Sequence, residues 1–396
     1  MGTGSLNKLN EPGEKQWLSY AHWVRDAAAL MRTGAPGKIG LFESSVPEPT
    51  AMLANTIAGA FRAGPPAAYQ SVFMRSHPDI VARLANRYGV ARENVFCTTG
   101  ATATISLVYR SLLESGDQVL IEKPGFDIFA NCARDAGLES HFFDRAAPDF
   151  DVSVEKVIGA LTPETRMVVL SDLHNPSGKS VSLPVLKHLA EELELRGVYL
   201  LIDEVYSDYS EVYSERIDPA QHRNVMRVSS LTKTFGLSSL RCGWLFAHTD
   251  ILSHVRARFE FADFNVSKLA HAVAAQVLLE QEQYDGWRSD HMTAARPIAE
   301  AAMSQLQRDG LIEVSTPLEG CICFPKVVGV DDTMAFSKWL ITHHGVVVVP
   351  GECFGSAGHI RIGYALNETT LDEAMKRLAS GLAEYRAITE KQSQLA

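Results

Sequence analysis

Residue types able to do chemistry gather in five short segments. In SSLTKTFGLSSLRCGW, at 229–244, Ser230, Lys233 and Arg241 stand among small residues between two apolar runs. A lysine there is either a solvated surface group or an amine of the kind that condenses with carbonyls to form Schiff bases. In LLIDEVYSDY, at 200–209, Asp203 ends a strongly apolar run, where a carboxylate is costly unless it meets a positive partner. It either caps the next helix or holds a cation, and Tyr206 lies within one turn of it. TTGATATISL, at 98–107, places Gly100, Ala101 and Thr102 where a strand gives way to a helix. Backbone N–H groups at such a start can cradle a phosphate, although a plain tight turn reads the same way. A single glycine does not make the dinucleotide-binding G-x-G-x-x-G fingerprint. EKPGFDIF, at 122–129, sets Phe126 just past a strand, its ring available to stack on a heteroaromatic ligand or to pack on the core. In LHNPSGKS, at 173–180, Pro176 keeps Asn175 out of helix geometry, so its amide can reach a ring oxygen or simply close a turn.

The elements that must position these residues are legible around them. Apolar runs at 95–97, 118–122, 141–143, 166–170, 198–203, 224–230 and 243–248 alternate with longer helical patterns. Runs without polar alternation suit strands covered on both faces. LPVLKHLAEELELRG, closed by Gly197, reads as a connecting helix. This alternation predicts an α/β fold with a mostly parallel sheet between helices, whose ligands bind beyond the carboxyl ends of the strands. Residues 1–50 carry one helical pattern, QWLSYAHWVRDAAALM. From about 290 come a helix in ARPIAEAAMSQLQRDG, strand-like IEVST, CICF and VVVVP, and a final helix in TLDEAMKRLASGLAEYRA. We expect a large domain over 51–290 and a smaller α+β domain over 291–396, to which the segment 1–50 contributes.

Composition narrows the function classes. The 396 residues hold 37 basic and 47 acidic side chains, a formal net charge of −10, which argues against broad binding to a nucleic-acid backbone. No apolar run approaches the roughly 18–20 residues of a membrane span. The start, MGTGSLNKLNEPGEK, lacks a signal-peptide core, and Leu6 breaks the myristoylation pattern. Six cysteines are too few for a disulfide scaffold, and the Cys321/Cys323 pair lacks a second pair to complete a zinc site. A cytoplasmic protein with reduced thiols and no metal is expected.

Taken in order, TTGAT, Phe126, HNPSG, DEVY, the S-x-x-K segment with an arginine eight residues after the lysine, and RIGYAL resemble the fold-type-I pyridoxal-phosphate enzymes. The likeness is to the class I/II aminotransferases and runs from about Tyr69 to Arg361. The resemblance implies a seven-stranded α/β domain, a small domain and a homodimer with shared active sites. It implies pyridoxal 5'-phosphate as cofactor, held as a Schiff base by Lys233, which then moves the substrate's α-proton. It makes Asp203 the partner of the pyridine nitrogen, and Tyr206 and Asn175 the donors to the phenolic oxygen. Phe126 becomes the stacking ring, and Gly100, Ala101, Thr102, Ser230 and Arg241 the phosphate cup. Tyr69 is similar to the tyrosine that reaches the neighbouring subunit's phosphate. Arg361, in GHIRIGYAL, resembles the arginine that clamps the substrate carboxylate through both oxygens, with Asn175 beside it.

Several positions depart from that pattern. Ser44 and Ser45, in LFESSVPEPT, stand where a glycine-bearing loop covers the substrate, and are expected to add hydroxyls or narrow the pocket. Ser76 replaces a glycine after Tyr69, Thr232 precedes the lysine where serine is commoner, and SSL at 238–240 replaces a glycine-containing turn. Asp172 and His174 are expected to be structural, and His343 and His344 to lie at the surface.

The expected activity is transfer of the amino group of an L-amino acid to a 2-oxo acid by way of pyridoxamine phosphate. A lyase or decarboxylase would use the same residues, and a non-catalytic binding protein would keep only the fold. A nicotinamide-linked dehydrogenase fits the strand–helix alternation but lacks the glycine fingerprint. Arg75 and Lys268 lie in segments that could bring a second cation to a dicarboxylic substrate.

Overall fold

All seven apolar runs form strands, and the strands pair into one sheet. They are Val95–Thr98 (β1), Gln118–Lys123 (β2), Glu139–Asp144 (β3), Thr165–Ser171 (β4), Tyr199–Asp203 (β5), Val225–Ser230 (β6) and Gly243–Ala247 (β7). The structure is a computed structural model that describes residues 20–33, 37–70, 76–210, 216–262, 266–313 and 318–395. Strand order is β1-β7-β6-β5-β4-β2-β3, parallel throughout except β7, which is antiparallel to both neighbours.

Alternate side chains of the central strands enter two different cores, which is why the runs are apolar without a break. Val119, Ile121, Val169 and Leu201 pack on one face, and Leu120, Val168, Leu170 and Ile202 on the other. Each such side chain contributes about 2 kcal/mol on leaving water. The helix Leu183–Glu194 buries Leu186, Leu189, Ala190 and Leu193 in the second core, the spacing of one helical face. It ends three residues before Gly197, which turns the chain at φ +68° into β5.

The flanking segments form small sheets. Ile39–Gly40 pairs in parallel with Val346–Val347, and Val349–Pro350, Ile360–Gly363 and Ile322–Cys323 form a three-stranded antiparallel sheet. Of the strand expected in IEVST, Ile312 makes an isolated bridge to Val327, and residues 314–317 lie outside those described. The helix expected in ARPIAEAAMSQLQRDG, from about 290, begins earlier and runs unbroken from Gln281 to Arg308 through Pro297. It therefore crosses the expected boundary at 290. Proline costs it one backbone hydrogen bond, while Ala295 and Ala299 on either side stay buried in the core. Among the described residues, no helix is long and apolar enough to cross a membrane.

The segment 41–47 is held at several points although it has no regular structure. Leu41 N–H donates to Val347 O at 2.8 Å, and Leu41 O accepts from Gly363 N–H at 2.7 Å. Tyr209 OH accepts from Val46 N–H at 2.9 Å, and Trp287 Nε1 donates to Pro47 O at 2.9 Å. Gly363 passes so near that a Cβ there would stand 1.6 Å from Glu43 O, so only glycine permits this approach.

Candidate active site

Parallel pairing carries the chemistry-bearing segments to one edge of the sheet. Asp203 ends β5, opposite Ser171 at the end of β4, and Asn175 follows in the next turn. Phe126 follows β2, Gly100 follows β1, and Ser230 and Lys233 follow β6. Arg241 precedes β7, and because β7 is antiparallel its start lies at the same edge. A cleft of about 340 Å³, open solvent included, collects Lys233, Asp203, Tyr206, Asn175, Phe126, Arg361 and Ser44, together with Tyr20 from the helix Tyr20–Thr33.

Lys233 is half-buried, with Nζ 2.8 Å from Ser44 Oγ and 5.6 Å from the centre of the Tyr206 ring. Its carbonyl accepts from Tyr209 OH at 2.7 Å, the same hydroxyl that anchors Val46. Burial works against the ammonium, but Tyr206 and Tyr20 outweigh burial and the opposing Arg361, so its pKa is raised. Tyr206 is buried, and burial raises its pKa against the pull of Lys233 and Arg361. Arg361 is 1% exposed, the carboxylate-sized fork expected of it being sunk among partners. Nη1 donates to Asn175 Oδ1 at 3.0 Å, and Nη2 donates to Tyr20 OH at 2.8 Å and to Phe42 O at 3.0 Å. Its Nε, also buried, has no hydrogen-bond partner.

Asn175 is held by a buried chain. Its N–H donates to Ser171 Oγ at 2.9 Å, and the Ser171 hydroxyl donates to Glu122 Oε1. Glu122 Oε2 in turn accepts from Arg145 Nη1 at 2.7 Å. Nothing in the spacing of Glu122, Arg145 and Ser171 announces this relay, because the three lie on separate strands or strand ends. His174 is fully buried between Ser177 Oγ at 2.7 Å and Pro124 O at 2.9 Å, and Asp172 accepts from Val181 N–H, both structural contacts. His343 is exposed, whereas His344 is half-buried and pairs with Glu384 at 3.0 Å.

Asp203 is buried and accepts from Val205 N–H at 3.1 Å. Burial pushes its pKa up to about 7, Glu122 adds to the rise, and Val205 N–H and Lys233 oppose it. Such a carboxylate wants a cation. Between the pKa of the unfolded chain and about 7, the folded state binds the extra proton, so stability falls as pH rises through that window. The expected loss in the cofactor-free protein is up to about 4 kcal/mol between pH 4 and 7, and Asp203→Asn should remove that part of it. Urea unfolding of both proteins across this range measures the difference.

The other end of the site is shaped for an anion. Gly100 has φ +119°, and a Cβ there would meet Arg241 Nη2 at 2.8 Å. Gly243 similarly clears Gly100, where a Cβ would come within 2.6 Å of its Cα. Ala101 opens the helix Ala101–Leu112, Ser230 Oγ accepts from Thr232 N–H at 3.3 Å, and Arg241 shares an open cleft with Thr99 and Thr102. These residues fit a phosphate, and the buried Asp203 with the Phe126 ring beside it fits a protonated heteroaromatic ring.

Some expected residues are elsewhere. Ser45 is half-buried and does not line the cleft. Tyr69, expected to reach the neighbouring subunit, is in the short helix Ala67–Gln70, 37% exposed with its ring edge-on to Phe61, and is not among the residues lining the cleft of its own chain. Lys268 starts the helix Lys268–Leu279 and is not among the lining residues, and Arg75 lies outside the described residues. Tyr20 had no signal beyond its place in an aromatic-rich helix, and Tyr209 only its position three residues after Tyr206.

Comparisons with known proteins identify the fold and the family. The chain is 27% identical over 304 residues to an aspartate aminotransferase of Pyrococcus horikoshii, covering 73% of this chain and 75% of that one. It is 26% identical over 294 residues to capreomycidine synthase of Streptomyces vinaceus, covering 74% and 75%. Its fold superposes on an aminotransferase from Mycobacterium tuberculosis with a TM-score of 0.81 at 21% identity, covering 94% and 98% of the two chains. The sequence profile described as "Aminotransferase class I and II" matches residues 63–378. The chain belongs to the class I and II aminotransferases, a family of pyridoxal-phosphate-dependent enzymes.

Proposed function

We propose that this protein moves the amino group of an L-amino acid to a 2-oxo acid, with Lys233 as the proton-moving base. The observation that carries the reading is the meeting in one cleft of an amine, Lys233, a buried carboxylate, Asp203, and a buried guanidinium, Arg361. When bound, pyridoxal phosphate supplies an aldehyde for amines and a ring that takes up the electron pair of the broken Cα–H bond. Lys233 would hold it covalently, Asp203 would pair with its ring nitrogen, and Tyr206 and the amide of Asn175 would donate to its phenolic oxygen. Phe126 would cover the ring, and Gly100, Ala101, Thr102, Ser230 and Arg241 would bind its phosphate.

Arg361 orients the substrate. A carboxylate entering the cleft takes the Nη2 donor now directed at Tyr20 OH and Phe42 O, and the planar fork fixes which Cα bond faces Lys233. Facing Cα–H toward Nζ favours transfer over loss of the carboxylate. We also propose a homodimer that completes the site. In support, helices Thr50–Ala60 and Lys268–Leu279 leave Ile57, Leu269 and Leu279 exposed, an apolar surface for a second copy, and Tyr69 is free of its own cleft. The division into a large domain over 51–290 and a small one over 291–396 plus residues 1–50 remains our proposal, supported by the pairing of Ile39–Gly40 with Val346–Val347. Six unpaired, buried cysteines suit a cytoplasmic setting.

The test is turnover of a panel of amino acids with 2-oxoglutarate or pyruvate. The reading expects a new amino acid to appear in step with a new oxo acid, and only when an acceptor is supplied. Ammonia or carbon dioxide formed without an acceptor would assign elimination or decarboxylation instead.

A further inference from the structure

Ser44 brings a hydroxyl to the reacting end of Lys233. Its Oγ accepts from Nζ at 2.8 Å. A serine hydroxyl has two lone pairs, so it can accept from the amine. Ser44 is 3% exposed, which leaves water little room to replace it. Its segment is braced on both sides. Phe42 O accepts from Arg361, Val46 N–H donates to Tyr209 OH, and that hydroxyl donates to the carbonyl of Lys233 itself. Arg361, Ser44 and Lys233 are thus set against one another through a single short loop.

Lysine needs such help because its four-carbon stem is flexible and its ammonium is costly to bury without an acceptor. The Tyr206 ring face, 5.6 Å from Nζ, is too far to accept a hydrogen bond. We propose that Ser44 is a positioning residue for the catalytic lysine, its hydroxyl holding Nζ in place and accepting from it while it carries the substrate's Cα proton. The inference rests on the reading of Lys233 as the base. In the step concerned, the Nζ lone pair takes the proton, the C–H electron pair stays with the substrate and its conjugated partner, and the resulting ammonium donates to Ser44 Oγ until it gives the proton up. No other reactant is needed.

The experiment compares Ser44→Ala, Ser44→Gly and Ser44→Thr with the parent protein. In cofactor-free protein, the pH dependence of Lys233 acetylation by acetic anhydride, read by mass spectrometry of its peptide, gives the pKa of the amine. Loss of a hydrogen bond to the charged form should lower it by about one unit in the alanine and glycine variants, and threonine should restore it. In the loaded enzyme, the alanine variant should show kcat reduced about tenfold, KM within about twofold, and a larger isotope effect with an α-deuterated donor. An unchanged acetylation midpoint in Ser44→Ala would overturn the proposal, even if kcat falls, because a merely structural defect could lower the rate. An unchanged isotope effect would do the same. Should Lys233→Ala itself retain transfer, the base assignment would be lost, a failure distinct from one confined to Ser44.

Discussion

Replacing Lys233 with alanine is expected to reduce amino-group transfer by about 10⁴-fold and to abolish the visible absorption band that arises from the cofactor's link to this amine. The size follows from two roles falling on one atom. Nζ is the nucleophile that holds the cofactor and the base that moves the Cα proton, and no other amine lines the cleft among the described residues. Arg361 is the nearby cation, and a guanidinium stays protonated and cannot substitute. The buried neighbours bear on the choice of controls. Removing Nζ frees the Ser44 hydroxyl and takes away a charge that helps Asp203 ionise. Urea unfolding should therefore accompany the assay. Partial recovery of turnover by added small primary amines would separate lost chemistry from lost structure. A band unaffected by the substitution would contradict the assignment.

The second large effect belongs to Arg361. Arg361→Lys should lower kcat/KM for amino acids by about 10²–10³-fold, mostly through KM, because an ammonium is a point charge and cannot bind both carboxylate oxygens as a planar fork does. Losing one partner of a buried charged contact generally costs about 2–5 kcal/mol, consistent with that range. The substitution also removes donors from Asn175 Oδ1, Tyr20 OH and Phe42 O, so some loss of order around the loop 41–47 is expected. An amine substrate that lacks the carboxylate distinguishes the two effects. If Arg361 acts by clamping the carboxylate, parent and variant should process that amine at similar rates. An equal loss with both substrates would mean that the arginine only supports the fold.

Much of this site was legible because each motif sits directly after a buried strand. Asp203, Lys233, Asn175, Phe126 and Gly100 are local features, and parallel pairing then brings them to one edge without further information. What could not be read depends on contacts between distant residues. Ser44 and Lys233 are 189 residues apart, Asn175 and Arg361 186, and Tyr20 and Arg361 341, so none of these pairs follows from a period or a spacing. Tyr20 belongs to a helix that reads as an ordinary amphipathic one, and its role against Arg361 arises only when that helix docks beside Phe126 and Phe354. The full extent of the helix Gln281–Arg308 is not legible because a proline ordinarily interrupts a helix, while the packing of Ala295 and Ala299 carries this one through Pro297. Ser45 and Ser44 looked equivalent in sequence, and only the course of the loop sends one hydroxyl to the lysine and leaves the other out of the cleft.

A single turnover with a ¹⁵N-labelled amino acid, cofactor-loaded protein and no oxo acid separates transfer from elimination and decarboxylation. Transfer should give one equivalent of 2-oxo acid per active site, with the ¹⁵N retained on the protein-bound cofactor until a second oxo acid is added and carries it away. Release of labelled ammonia, or of carbon dioxide with the label left on the product amine, would contradict it.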